Sequence, residues 1–456
     1  MSTLLKRFTS NASANIVGGL GTALYNLVLP SLVVHKLNAD DFSIWSLGLQ
    51  VMIYVQVLGF GVQTVLARFI AVDNECENKY SLYLTVFIGR DLVKKMMLAG
   101  MLFSLFLIFF YPMFFRGLSL DKINTLRYCV VAFGISASIQ LLSLLPIGYF
   151  TGIHKNYIHV SCQLLGRMVS LLVVYYLTTT DVSIKCLAIG LSLSLLIYVI
   201  LLTFFMIRKI KFPYRTEYNK NEISERKNKI KSQCKLLAIW SLCMLCVNGL
   251  QTPIVGLYDI KMVGIYSLAY TLVLVITGLF QSTLSPLITN GSSLHAKNET
   301  EKLCKLLYVA SLVVFVLGFI LLVGITCFGD FLLKFWIGPD KANDVYGVFL
   351  ILAISFIIRN MASPYAMLLI ATGAHKNAST PAIIEGVTSV LGSMLLGHFY
   401  GVKGVAFGVY FSAMIGLFFN FSYTKNNLFF LQRTRKIFFI LFFLVPIPIY
   451  SSFIIF

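Results

Sequence analysis

Thr-Gly-Ile-His-Lys-Asn at residues 151–156 recurs as Thr-Gly-Ala-His-Lys-Asn at residues 372–377, an offset of 221 positions. A second pair of segments keeps this offset, because Ser-Ile-Trp-Ser-Leu at 43–47 returns as Gly-Ile-Tyr-Ser-Leu at 264–268. Two matches in one register are not explained by a single chance hexapeptide. The sequence therefore predicts two equivalent halves.

The composition is that of a membrane protein. Of the 456 residues, 58% are hydrophobic and 12% are charged, and the mean hydropathy is +0.84. Soluble domains carry about 25% charged residues, and roughly 20 apolar residues cross a bilayer as a helix. Thirteen such segments can be read, at about 13–34, 43–69, 88–111, 126–150, 157–179, 184–207, 234–258, 262–289, 305–328, 345–372, 377–399, 402–424 and 437–456.

The placement of positive charge predicts the orientation. If the amino terminus is cytoplasmic, 25 of the 37 Lys and Arg residues fall on the cytoplasmic side, as the positive-inside rule requires. Most of the net charge of +19 therefore serves to orient the chain in the membrane and does not indicate a nucleic-acid partner. No small-residue cleavage site follows a short apolar run near the amino terminus, so the first segment is expected to be retained. The nine cysteines are scattered, so no disulfide or metal site is expected.

Six segments, a basic stretch and six more segments predict the domain organisation. We expect an amino-terminal lobe at 1–207, a basic cytoplasmic linker at 208–233, a carboxy-terminal lobe at 234–424 and an additional transmembrane segment at 425–456. An even number of crossings gives both lobes the same orientation. The predicted fold is an all-α polytopic protein with two parallel six-helix bundles, related by an axis along the membrane normal and V-shaped around a central cationic cavity.

Three charges lie deep in predicted spans: Arg167, Arg359 and Glu385. Each charge at the bilayer centre costs roughly 2.5 to 3.5 kcal/mol, so these side chains should face water or pair with one another. Guanidinium groups suit phosphate and carboxylate ligands. Arg167 and Arg359 are therefore candidate ligands for an anionic substrate, and Glu385 is either an ion-coupling residue or the partner of an arginine.

Arg68 and Arg90 lie at helix ends, where a substrate contact and snorkelling to the interface are equally compatible with the sequence. Polar side chains in the same helices could bind hydroxyl groups of a cargo or hold helices together. They are Gln50, Gln56, Gln63, Ser136, Ser138, Gln140, Ser143, Gln281, Ser282 and Ser285.

Glycines and prolines inside spans are candidate hinges. Pro30 and Pro253 occupy the first helix of each half, and Gly59 and Gly61 flank Phe60 in the second. Proline removes a helical hydrogen bond and kinks the helix. A static kink fixed by packing is the alternative.

Several motifs together resemble a known transporter family. They are Asp-Phe-Ser-Ile-Trp-Ser at 41–46, Gly-Phe-Gly at 59–61 followed by Ala-Arg at 67–68, the repeated hairpins, Leu-Lys-Phe-Trp-Ile-Gly at 333–338 and Val-Lys-Gly-Val-Ala at 402–406. Residues 1–424 resemble the Wzx-type O-antigen flippases and related polysaccharide exporters of the multidrug/oligosaccharidyl-lipid/polysaccharide superfamily. Relatives have twelve or fourteen helices, so the thirteenth segment is a departure.

The resemblance implies a flippase that moves an undecaprenyl-diphosphate-linked oligosaccharide, an O-antigen or capsule repeat unit, across the bacterial inner membrane by alternating access. Arg68 matches an arginine common after the second-span glycine motif. The implied partners are the lipid-linked glycan, membrane lipids, a polysaccharide polymerase and a chain-length regulator. No cofactor is expected, and coupling to a proton gradient, a sodium gradient or the membrane potential stays open.

Two other functions are compatible with the sequence. A multidrug/cation antiporter of the same superfamily would use carboxylates in its helical bundles, whereas the first span here contains none. A membrane-embedded polymerase or glycosyltransferase would need acid/base groups on a sizeable outer loop. The longest such connection, about Gly329 to Asp344, is too short for a catalytic domain, so no catalytic residue is predicted.

Overall fold

The computed structural model describes residues 2–59, 61–115, 118–180, 183–210, 220–296, 298–372 and 375–425. Throughout this described part the chain is helical, without β-strands. The all-α class predicted from composition is confirmed. The chain divides into two compact units, Met1–Leu245 and Cys246–Phe456.

The first unit contains eight helices and the start of a ninth. Their bounds are α1 Ser2–Val34, α2 Ala39–Val57, α3 Val62–Glu75, α4 Lys79–Phe110, α5 Leu120–Gln140, α6 Leu144–Gly152, α7 Asn156–Thr179, α8 Ile184–Lys209 and α9 Lys220–Asn248. Short 3-10 turns at Tyr111–Phe114 and Leu141–Ser143 complete it.

The second unit begins within α9 and contains six further helices. They are α10 Gln251–Tyr258, α11 Lys261–Ala296, α12 Thr300–Ile337, α13 Pro339–Met361, α14 Ser363–Ala371 and α15 His375–Lys425. Glycine lets α15 fold back on itself, because Gly401 has φ 58° and ψ −138° inside the segment. Its two arms run antiparallel, with Gly392 packed on Gly408 and the Ser393 hydroxyl donating to the Val405 carbonyl at 3.1 Å.

Eleven helical stretches of the described chain are long and apolar enough to cross a membrane. The last of them, Thr380–Asn420, contains the fold at Gly401 and so supplies two crossings. Twelve of the thirteen predicted segments are accounted for in this way. The thirteenth, at 437–456, lies outside the described residues.

Four of these stretches are each divided into two helices by a break. The break between α2 and α3 has Gly61 in the left-handed region, with φ 65°. The other three breaks precede Pro146, Pro253 and Pro364 by a few residues. Proline has no N–H to donate to the carbonyl four residues before it, and its ring clashes with that carbonyl. Each helix is therefore interrupted at this point.

The predicted linker at 208–233 is partly a docked helix. From Lys220 onward the chain forms α9, which packs on the first unit through Ile223, Ile230 and Leu237, spaced seven residues apart. Ile230 is fully buried. The first compact unit extends to Leu245 and includes the start of α9, because one face of this helix is apolar.

Candidate functional site

The close packing of α1 on α7 places Arg167. A Cβ on Gly18 would lie 3.0 Å from Val160, and one on Gly21 would lie 2.1 Å from Leu164, so glycine permits this approach. The next residue along the same stripe of α7 is Arg167, three positions after Leu164. Residues three and four apart share a helix face, so the guanidinium is directed at α1.

Arg167 is held by neutral groups. Its Nη1 donates to the Thr22 hydroxyl, which in turn donates to the Gly18 carbonyl at 2.6 Å. The guanidinium lies over the Tyr25 ring, 5.5 Å from its centroid. Among the described residues, no carboxylate forms an ion pair with this arginine. A partly buried positive charge thus remains uncompensated in the first unit.

Two further side chains accompany Arg167. The Tyr198 hydroxyl and His159 Nδ1 are 3.0 Å apart. Tyr198 packs on Gly166, next to the arginine. Sequence reasoning missed both residues. For His159 the signal was its spacing, since it lies two turns before Arg167 on α7.

Arg359 has a different environment, because Glu385 neutralises it. Arg359 Nε donates to Glu385 Oε1 at 2.5 Å, and Nη1 donates to Asn248 Oδ1 at 3.0 Å. The guanidinium covers the Phe356 ring at 4.3 Å. The two charged side chains are only 13% and 8% exposed. Of the two predicted roles for Glu385, the structure thus shows the pairing, and ion coupling stays a prediction.

The break between α9 and α10 extends this polar cluster. Asn248 is the last residue of α9, and Gln251 Nε2 donates to the Cys246 carbonyl and to the Ser389 hydroxyl, both at 2.8 Å. Ser389 lies one turn after Glu385. These three polar residues were also missed. For Asn248 and Gln251 the signal was their position within five residues of Pro253, where the helix has to open.

Arg68 and Arg90 are exposed on the first unit. The Arg90 guanidinium lies 5.5 Å from the Phe87 ring centroid. In the described part of the chain neither arginine has an acidic partner, since the nearby Asp91 pairs with Lys95 and Lys227. No hydrogen bond or ring contact joins either of them to Arg167, so their role in binding stays a prediction.

The hinge candidates occupy different positions. Pro30 lies inside the continuous helix α1, whereas Pro253 follows the break that opens α10. Gly59 and Gly61 form the break between α2 and α3. Whether any of them moves stays a prediction.

Of the eight predicted polar side chains that the structure describes, Gln50, Ser136, Ser138 and Ser143 are buried and Gln140 is partly buried. Ser136 donates to the Ser192 carbonyl of α8, whereas Ser138 and Ser143 donate to carbonyls three or four residues before them in the chain. Gln56 is exposed. The side chains of Ser282 and Ser285 lie outside the described ones. Within the searched residues, no group of three or more His, Cys, Asp or Glu could hold a metal ion.

No protein-family model and no curated protein matches this chain. Solved structures do resemble it over almost its whole length. One is an inward-facing conformation of a multidrug resistance MATE family transporter of the MOP superfamily, 14% identical, covering 91% of this chain and 100% of that chain, with a TM-score of 0.71.

Two further solved structures have the same architecture. The lipid II flippase MurJ, in an inward closed conformation, is 14% identical, covers 96% of this chain and 92% of that chain, and has a TM-score of 0.70. A mutant of the Vibrio cholerae MATE transporter VcmN is 15% identical, covers 94% and 99%, and has a TM-score of 0.66. The chain therefore has the fold of multi-pass transporters.

Proposed function

We propose that this chain is a flippase for an anionic lipid-linked oligosaccharide of the undecaprenyl-diphosphate class. It would carry an O-antigen or capsule repeat unit across the bacterial inner membrane by alternating access, with its amino terminus in the cytoplasm. The observation that carries the proposal is the uncompensated guanidinium of Arg167 inside the first unit.

The two deep arginines differ in a way that bears on the substrate. A buried charge without a counter-charge is strongly unfavourable, and one already paired gains little from a further anion. Arg359 is paired with Glu385, but Arg167 has only a hydroxyl and an aromatic face. An anionic headgroup would supply the charge that Arg167 lacks, through donors suited to phosphate.

The Thr22 hydroxyl orients this site. Because the Thr22 hydroxyl accepts a hydrogen bond from Arg167 Nη1, the plane of the guanidinium is fixed. Its other N–H groups remain available to a ligand. Arg68 and Arg90, exposed and without acidic partners in the described residues, would add positive charge along the path of the headgroup. Pro30, Pro253, Gly59 and Gly61 remain the candidate hinges of the motion.

A multidrug/cation antiporter is the second candidate, favoured by the MATE structures among the similar folds. Cation binding would require an available carboxylate within the spans. No Asp or Glu occurs in residues 1–34, and the buried carboxylate of Glu385 is engaged by Arg359. The polymerase or glycosyltransferase alternative has no support from these folds, which belong to transporters and a flippase.

Under the proposed function the partners are the lipid-linked glycan, membrane lipids, a polysaccharide polymerase and a chain-length regulator. The driving force is a proton gradient, a sodium gradient or the membrane potential, with Glu385 as the candidate coupling residue. Coupling through Glu385 requires that protonation or a competing cation loosens its ion pair with Arg359.

The test is deletion followed by complementation. Loss of surface polysaccharide with lipid-linked repeat units accumulating inside supports the flippase. Arg167→Gln should fail to restore the polymer at normal membrane abundance, and Arg208→Gln should restore it, since Arg208 is an exposed arginine at the end of α8. Drug hypersensitivity with normal polymer would instead identify an antiporter. Accumulation of units on the outer leaflet would identify a polymerase.

A further inference from the structure

A hydrogen-bonded relay crosses three helices of the first unit and ends at an exposed amide. Ser136 in α5 donates to the backbone carbonyl of Ser192 in α8 at 3.2 Å. Gln140, one turn later in α5, donates from Nε2 to the Ser136 hydroxyl at 3.2 Å. Gln56 in α2 donates from Nε2 to Gln140 Oε1 at 3.4 Å. Each side chain is therefore oriented by the one beneath it.

Burial decreases along this relay. Ser136 and Ser192 are buried, Gln140 is partly buried and Gln56 is exposed. The Gln56 amide uses one N–H in the relay. Its second N–H and its carbonyl oxygen have no partner among the described residues. The relay thus presents one oriented donor and one oriented acceptor at the surface of the first unit.

The depth of Gln56 indicates what this surface meets. Gln56 lies at the centre of the apolar stretch Ala39–Glu75, and Gln140 lies near the centre of Leu120–Gly152. A primary amide in hydrocarbon without hydrogen-bond partners is strongly unfavourable. This face of the first unit therefore borders water or a polar ligand, and not acyl chains.

We propose that Gln56 is a glycan-binding residue, positioned by Gln140 and Ser136. Neighbouring sugar hydroxyls each donate and accept, so an adjacent free N–H and C=O match them. The inference rests on the proposed function, because the hydroxyl-rich ligand is the sugar portion of the proposed cargo. Arg167 would bind the charged headgroup, and Gln56 would bind the uncharged glycan.

Binding of two lipid probes to the full chain in nanodiscs separates these roles. The probes are undecaprenyl diphosphate and undecaprenyl diphosphate bearing a disaccharide. Gln56→Leu should weaken binding of the glycosylated probe about fivefold, the loss expected for one to two hydrogen bonds, and leave binding of the bare diphosphate unchanged. Arg167→Gln should weaken both.

A serine pair in α5 tests the positioning role. Ser136→Ala should weaken only the glycosylated probe, about twofold, because Gln140 loses its acceptor. Ser138→Ala is the matched control, since the Ser138 hydroxyl is buried in the same helix but donates to the Gly134 carbonyl at 2.7 Å, outside the relay. Two controls would exclude misfolding. Gln56→Asn should restore binding of the glycosylated probe, and each variant should have normal thermal stability.

The other possible results contradict the proposed function, the glycan-binding role of Gln56 or the positioning role of Ser136. If the unmodified chain binds neither probe, the proposed function and this inference both fail. If it binds both but the disaccharide adds no affinity, or Gln56→Leu affects both probes alike, the glycan role fails and the proposed function stands. If Ser136→Ala and Ser138→Ala behave alike, the relay joins helices and does not position Gln56.

Discussion

Arg226 in α9 and Asp73 in α3 form an ion pair inside the first unit. Asp73 is only 5% exposed and also accepts a hydrogen bond from the Thr85 hydroxyl at 2.8 Å. Arg226 donates to that hydroxyl at 2.9 Å and lies over the Phe69 ring at 4.9 Å. The connection between the two halves is thereby anchored to the first.

Removal of Arg226 should destabilise the protein. Arg226→Ala leaves the Asp73 carboxylate buried without its counter-charge, which costs about 3 kcal/mol. Thermal unfolding of the purified protein in detergent should show a lower midpoint. Lys229→Ala is the control, because Lys229 pairs with Glu225 on the exposed face of α9. Equal midpoints for the two variants would mean that α9 is not held by this pair.

The Arg359–Glu385 pair predicts non-additive mutations. Glu385→Gln leaves a buried guanidinium with neutral partners and no counter-charge, and should lower stability by about 3 kcal/mol. Replacing both charges, with Arg359→Met and Glu385→Leu, should recover most of the loss, since apolar side chains of similar volume carry no desolvation cost. A double mutant less stable than Glu385→Gln alone would contradict the pairing. The measurement is a double-mutant cycle of unfolding midpoints that includes Arg359→Met and Glu385→Leu as single variants.

Gly401 should be intolerant of any side chain. Its φ of 58° with ψ of −138° lies in a region that is essentially restricted to glycine. Gly401→Ala should therefore cost about 1 to 3 kcal/mol and lower the yield of folded protein. Gly278→Ala is the control, because a Cβ there meets nothing within 4 Å. Normal yield of Gly401→Ala in a size-exclusion assay would show that α15 does not fold back at this residue.

The sequence predicts most of the helices because a helix that crosses a bilayer needs about 20 mainly apolar residues. The predicted segment at 157–179 corresponds to α7 at Asn156–Thr179, and a glycine or a proline lies within about one turn of each of the four breaks. Both effects are local. They depend on residues within a few positions of one another, so no knowledge of the tertiary structure is needed.

The pairing of side chains depends on the tertiary structure and was predicted less well. Arg359 and Glu385 are both recognisable as deep charges, but which faces of α13 and α15 meet is set by packing along their whole lengths. Asn248, more than 100 residues earlier, has no local signal for its bond to Arg359. The docking of α9 was visible in the spacing of Ile223, Ile230 and Leu237, yet the charge of this stretch indicated a linker.

The hydroxyl of Thr22 should be required for substrate binding and not for folding. Thr22→Val keeps the volume between α1 and α7 but removes the acceptor of Arg167 Nη1. A net loss of about 1 kcal/mol for this bond predicts roughly five- to tenfold weaker binding of undecaprenyl diphosphate, with a fall in the unfolding midpoint no larger than one hydrogen bond explains. Thr22→Ser retains the hydroxyl and should bind normally. If Thr22→Ser were as weak as Thr22→Val, the methyl group and helix packing, not the hydrogen bond to Arg167, would govern the site.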